Sequence, residues 1–295
     1  MTYSTSLLIK MNKVSKSFPG VKALKGVDFD LRAGEVHSLC GENGAGKSTL
    51  MKILSGLYAG GTYEGDVQVA GKTVSFSGPG DSFTTGIATV YQELSLIPEM
   101  TVAENIYLGR EPHRMGIITQ DKLAQDSKTL LNRMGLKISP LQKPSELGIG
   151  EQQLVEIAKA LSHNPKVLVL DEPTSVLSQK EITTLMGIIQ RLKADGLGII
   201  LITHKLEEIF ALSDRITVLR DGAWVGTWNA KDTTPAKLVA SMVGRNIEEF
   251  YPRSERRLGP VAFELKNWNV PNPKNKDRML LQDISWNVKQ GEIVG

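Results

Sequence analysis

Gly41 to Thr49 read GENGAGKST, a fit to the spacing G-x-x-x-x-G-K-[ST]. A triphosphate needs many hydrogen-bond donors close together, and backbone N–H groups are the densest source. Gly41, Gly44 and Gly46 let the chain curl around phosphate oxygens without a Cβ in the way, with Glu42, Asn43 and Ala45 completing the curl. Lys47 is expected at the β- and γ-phosphates and Thr49 near the α-phosphate. Ser48 is expected to ligate Mg²⁺, a hard cation that takes oxygen ligands. The loop follows an apolar run, EVHSLC, and precedes a helix expected to start near Lys47. The amides and positive dipole end of that helix point at the same phosphates.

A second chemical signal is KVLVLDEP, a branched apolar run ending in two acids. Strand alternation sends Asp171 and Glu172 different ways. Asp171 then faces Mg²⁺ through a water, and Glu172 faces the γ-phosphate and polarises an attacking water. Alone, two acids at a strand end read equally well as solvated. Behind a phosphate loop the chemical reading takes precedence. Gln92 in TVYQELSLI and His204 at the end of GIILITH carry no argument by themselves.

The elements that must position these residues are legible as patterns. LLIKMNKV, ALKGVDFDL and GEVHSLCG read as strands, and DVQVAGKTVSF as a hairpin turning near Ala70-Gly71. From about residue 94 to 160, LAQDSKTLLNRMG and EQQLVEIAKALS carry apolar residues at helical spacing. KVLVL and GIILIT suit parallel strands buried on both faces, joined through the helical EITTLMGIIQRLKADG in a βαβ unit. Trp224 and Trp228 alternate on an expected hairpin, where packing is the default reading.

Composition bounds the function. Of 295 residues, 41% are hydrophobic and 23% charged, as in ordinary globular proteins, and the net charge of +3 forms no basic stripe that would call for nucleic acid. The single cysteine, Cys40, excludes an internal disulfide and a thiolate metal cluster. No stretch approaches the roughly 20 apolar residues of a membrane span, so the expectation is a soluble protein whose membrane work would need a partner. Near the end, LLQDISWNVKQGEIVG repeats ALKGVDFDLRAGEVHS at one constant offset: Leu24 maps to Leu281, Gly34 to Gly291 and Glu35 to Glu292. The charged, proline-bearing stretch 246–260 reads as a linker. Residues 261–295 read as the first strands of a second, truncated domain, whose counterpart of Gly41 would fall beyond Gly295.

Taken in order, GENGAGKST, Gln92, LGIGEQQ, VLVLDEP and ITH resemble the ATP-binding cassette ATPases, over residues 5–245 nearly without break. The resemblance implies an α/β fold: a P-loop RecA-like core (1 to about 93 and 161–245), an antiparallel β subdomain and an inserted helical subdomain at 94–160. It implies that Phe18 stacks on adenine, that Gln92 ligates Mg²⁺ and senses a permease, and that the catalytic pair is Glu172 and His204. Leu147, Gly148, Ile149, Gly150 and Glu151 match the signature usually written LSGGQ, which binds the γ-phosphate on an opposite domain's P-loop. The departures that matter are Gly148 in place of serine, Ile149 in place of glycine, and Ser178 where aspartate is common. IGEQQLVEIAKAL, ITHKLEEI and the tandem repeat further resemble the duplicated ATPases of bacterial sugar importers, and SLCGENG, GTYEGDV and LGIG the D-xylose type. That implies ATP and Mg²⁺ as cofactors, and a permease, a second cassette domain and, indirectly, a periplasmic sugar-binding protein as partners. It also implies a peripheral place on the cytoplasmic face of the inner membrane. Two rivals are an inert ATP-binding module and a cassette ATPase of DNA repair or translation; the sequence shows no coiled coil or zinc element of the latter.

Overall fold

The structure is a computed structural model that describes residues 6–114, 116–244, 258–273 and 275–294. It divides into two compact units, Met1–Arg245 and Asn246–Gly295. In chain order the first unit holds β1 (Leu7–Phe18), β2 (Val21–Arg32), β3 (Val36–Cys40), α1 (Lys47–Leu54), β4 (Glu64–Val69), β5 (Lys72–Val74), α2 (Pro79–Thr84) and β6 (Ile87–Val90). There follow α3 (Val102–Tyr107), β7 (His113–Arg114), β8 (Ile117–Ile118), α4 (Gln120–Met134), α5 (Ile149–Leu161), β9 (Val167–Asp171) and α6 (Gln179–Ala194). The unit closes with β10 (Gly198–Ile202), α7 (Leu206–Leu212), β11 (Arg215–Arg220), β12 (Ala223–Asn229) and α8 (Pro235–Val243).

Two sheets carry the architecture. One is antiparallel in the order β2-β1-β4-β5, and the other runs β12-β11-β3-β10-β9-β6. In the second, β11, β3, β10, β9 and β6 are parallel, and only β12 opposes its neighbour. β3 and β10 are buried at every residue, as their apolar runs require of central strands. One apolar cluster joins α5 and α6 to this sheet through Leu154, Ile157, Ile188 and Leu201. A second joins α1 to both sheets through Ile53, Met11, Phe29 and Val169. The expected hairpin turn is present, with Ala70 and Gly71 at φ 49° and 77°, the signature of a two-residue I′ turn. The α/β fold with an antiparallel β layer and a helical region, α3 to α5, is therefore the one the resemblance implies.

Among its described residues the second unit forms an antiparallel hairpin, β13 (Val261–Asn272) with β14 (Asn275–Lys289). Its register repeats that of β1 and β2. Met11 faces Phe29 as Leu265 faces Trp286, and Val14 faces Val27 as Trp268 faces Ile284. The irregularities repeat too. Lys13 (φ 47°) donates its N–H to Asp28 Oδ1 at 2.8 Å, and Asn267 (φ 49°) donates to Ser285 Oγ at 3.0 Å. Gly26 donates to Ser15 Oγ and Asp283 to Asn269 Oδ1, both at 2.9 Å. The expected linker, 246–260, lies outside the described residues as far as residue 257.

Candidate functional site

The site collects at the C-terminal ends of the parallel strands, where open α/β sheets leave a crevice. β3 runs into Gly41, and the chain curls through positive φ at Gly41 (152°), Gly44 (84°) and Gly46 (101°) before α1 begins at Lys47. Two of these glycines are also required by space. A Cβ at Gly46 would lie 2.7 Å from the Ala23 carbonyl, and one at Gly41 would collide with the Leu219 carbonyl. Lys47 donates its ammonium to the carbonyls of Gly41 (2.8 Å) and Glu42 (3.0 Å), so the lysine crosses the mouth of its own loop. Burial lowers the Lys47 ammonium below its ordinary range, partly offset by the nearby acids Glu172 and Asp171.

A cavity of about 740 Å³ opens here, lined by Asn43 to Thr49, Gln92, Asp171 and Glu172. Its volume suits a drug- or nucleotide-sized ligand. Asp171 ends β9, and burial together with Glu172 raises its carboxyl. Strand alternation fails to separate the two acids. Glu172 has left the strand with φ 46°, its N–H bonded to the Ile202 carbonyl, and both residues line the same cavity. Glu172 Oε1 lies 3.2 Å from Nδ1 of His204, whose own side chain is largely exposed. Ser48, Gln92 and Asp171, which carry side-chain oxygens, all line this cavity. Among the described residues no cluster of three His, Cys, Asp or Glu side chains stands ready for a metal. A few hard oxygens completed by phosphate and water are what Mg²⁺ prefers, so the residues present fit that ion.

Other predicted residues stand apart from this cavity. Phe18, 37% exposed, packs edge-to-face on Tyr58 at 5.5 Å beneath the Lys16 ammonium and does not line it. Leu147 to Glu151 also lie outside it. Gly148 caps α5 and donates its N–H to Glu151 Oε2 at 3.1 Å; Ile149 is exposed, and the Glu181 carboxylate lies over Gly150. Cys40, read as a small buried hydrophobe, is buried, and burial pushes its thiol up to about 12. The wall that sequence reasoning missed comes from Val21, Ala23, Lys25 and the Asp221-Gly222 turn. Lys25 N–H bonds the Gly222 carbonyl at 2.8 Å and Gly222 N–H the Ala45 carbonyl at 3.2 Å. The D-G dipeptide signals the turn, but nothing local says that it docks on the phosphate loop.

The segment after Gln92 is anchored. Asn105, fully buried, accepts from the Ile97 N–H (2.7 Å) and donates to the carbonyls of Ile97, Met100 and Thr101. Glu156 of α5 accepts the Ser95 N–H, and Lys159 donates to Ser95 Oγ at 3.2 Å.

With the loop, the paired acids and the cavity placed, the chain can be set beside known proteins. The profile described as ABC transporter matches residues 24–175, more than half of the chain. The chain belongs to the ABC transporter family. It is 47% identical to the xylose import ATP-binding protein of Moorella thermoacetica, over 98% of this chain and 57% of that protein. It is 45% identical to the L-arabinose transport ATP-binding protein of Geobacillus stearothermophilus (99% and 57%). Against the ribose import ATP-binding protein of Streptomyces avermitilis identity is 49% (98% and 53%). The chain thus spans just over half the length of these curated relatives. Among solved structures, a nucleotide-free ATP-binding cassette from an ABC transporter superposes with TM-score 0.70 at 27% identity, covering 80% of this chain and 98% of that one. A dimeric post-hydrolysis cassette bound to ADP and Pi gives TM-score 0.66 at 26% identity, covering 77% and 100%.

Proposed function

We propose that this ABC family chain binds Mg-ATP in the loop cavity and hydrolyses it, as an ATP-binding part of a bacterial monosaccharide importer. The observation that carries this reading is the convergence of Lys47, Ser48, Gln92, Asp171 and Glu172 on one cavity at the strand ends. Lys47 exchanges its two loop carbonyls for phosphate oxygens. Ser48, Gln92 and Asp171 would hold Mg²⁺, which would supply positive charge against the phosphates. Glu172, steered by His204, orients the attacking water. Val21, exposed on the cavity wall, offers an apolar surface to the base, with Phe18 beside it.

The signature, Leu147 to Glu151, meets the nucleotide of a second cassette domain. Its absence from this cavity's walls supports that reading, and the dimeric cassette solved with ADP and Pi is a precedent for paired cassettes. The recurrence of the β1–β2 register in β13–β14 supports residues 261–295 as the start of such a second domain. The sugar-import names of the relatives support a permease partner and a pentose such as xylose. Mixing calorimetry tests the core of this reading. Lys47→Ala is expected to lose Mg-ATP affinity. Glu172→Gln is expected to bind ATP while turnover falls about a hundredfold or more. Unchanged ATP affinity in Lys47→Ala sinks the loop assignment.

A further inference from the structure

Another cavity, of about 410 Å³, is lined by residues of β1, β2 and β12. Its exposed apolar lining is Leu7 and Trp224, while the Met11 and Phe29 side chains beside them are packed into the core cluster. Sequence patterning assigns that tryptophan to packing, yet it is 48% exposed. Its indole is fixed rather than free, because Nε1–H donates to Thr227 Oγ1 at 3.1 Å. A fixed indole presenting apolar area beside polar tips is a low-entropy recognition surface.

The rim supplies polar groups of balanced charge. Asn12 brings an amide, and Lys10 and Asp28 bring one charge of each sign. Asp30 is already committed to Arg215, at 3.0 and 2.7 Å. Neutral balance disfavours a phosphate or a free cation. An apolar platform ringed by an amide, a carboxylate and an ammonium suits a ring with C–H faces and equatorial hydroxyls.

Behind the platform the hydrogen bonds have one consistent direction. His37 Nδ1 faces the Asp30 carbonyl at 2.7 Å; a carbonyl only accepts, so Nδ1 carries the proton. Nε2 must then accept, from Thr217 Oγ1 at 2.8 Å. Thr217 has spent its proton, so Thr227 donates to it at 2.7 Å and in turn accepts from Trp224. Burial holds His37 down at about 4, which keeps it neutral in this role. His37 belongs to β3, the strand that runs directly into Gly41.

We propose that this cavity binds a free monosaccharide, one sugar face on Trp224 and its hydroxyls on Asn12, Asp28 and Lys10, and that the Thr227–Thr217–His37 chain reports occupancy to the phosphate loop. Binding is read by saturation-transfer NMR and calorimetry on the full chain without nucleotide, using D-xylose, L-arabinose, D-ribose and D-glucose, with adenosine as the aromatic competitor. At least one sugar is expected to saturate at or below roughly 10 mM, a little weaker than the millimolar end of ordinary affinities. Trp224→Ala abolishes the signal, and Asn12→Ala weakens it several-fold. Coupling is read as ATP affinity with and without saturating sugar. A shift of about twofold or more is expected, and Thr217→Val removes the shift while sugar still binds. No saturation with any sugar, equal binding in Trp224→Ala, or preference for adenosine overturns the site. Sugar binding with no shift in ATP affinity overturns the relay. Loss of all ATP binding in the parent chain would instead count against the loop assignment, because the sugar titration needs no nucleotide.

Discussion

The hairpins β1–β2 and β13–β14 share a register, the same pair of left-handed kinks and the same side-chain clamps, and differ in what lies on them. Ile9, Met11, Val14, Val27 and Phe29 are buried beneath α1 and the parallel sheet. Of their counterparts, Leu265 is half-buried, and Phe263, Trp268, Ile284 and Trp286 are between 39% and 49% exposed. Kinks and register are thus local properties, fixed by a donor, an acceptor and a pair of strands. Stability is not local: a two-stranded ribbon with one bare face is marginal in water.

The comparison breaks first, if it breaks, in hydrogen exchange. Amides of β2 are expected to exchange only through global opening, at about 5–15 kcal/mol, and those of β14 at roughly 1 kcal/mol or less. Comparable protection in the two hairpins would show that the face of β14 is covered. Next in size is a charge on each face. Val27→Asp should cost about 4 kcal/mol or more in urea unfolding, and Ile284→Asp within about 0.5 kcal/mol.

A third contrast is acid sensitivity. His37 is held at about 4 against 6.5 for a free imidazole, chiefly by burial. The unfolded chain therefore binds the extra proton first. This contribution is complete above pH 6.5 and lost as pH falls toward 4, about 3 kcal/mol in all. At the constant repeat offset Val294 stands where His37 does, so the effect belongs to the first unit. His37→Val should flatten this part of the stability–pH curve and leave any contribution from the exposed His163. An unchanged slope would place the imidazole in water. The smallest effect concerns the clamps: Asp28→Ala and Ser285→Ala should each loosen their kink by about 1 kcal/mol, equally because both clamps are exposed. Markedly unequal values would mean that the kinks are not local.

The same division explains what could be read from the chain. The strands, the phosphate loop, the Ala70-Gly71 turn and the apolar β10 announce themselves within ten residues, because spacing and glycine placement are short-range. Three things were not legible. Glu172 escapes alternation only because the strand ends one residue earlier and φ turns positive. The wall formed by Val21 and Gly222 depends on the docking of a distant hairpin. Trp224 reads as a packing residue, and only the arrangement of β1, β2 and β12 leaves its ring in the open.

Gln92 sits on a short unsupported span between two piers. One pier is β6, hydrogen-bonded into the parallel sheet as far as Val90. The other is Ser95, bolted to α5 through Glu156 and Lys159, with the stretch beyond it gripped by Asn105. The glutamine therefore sits between an anchored strand end and an anchored helix, on the stretch that links the two.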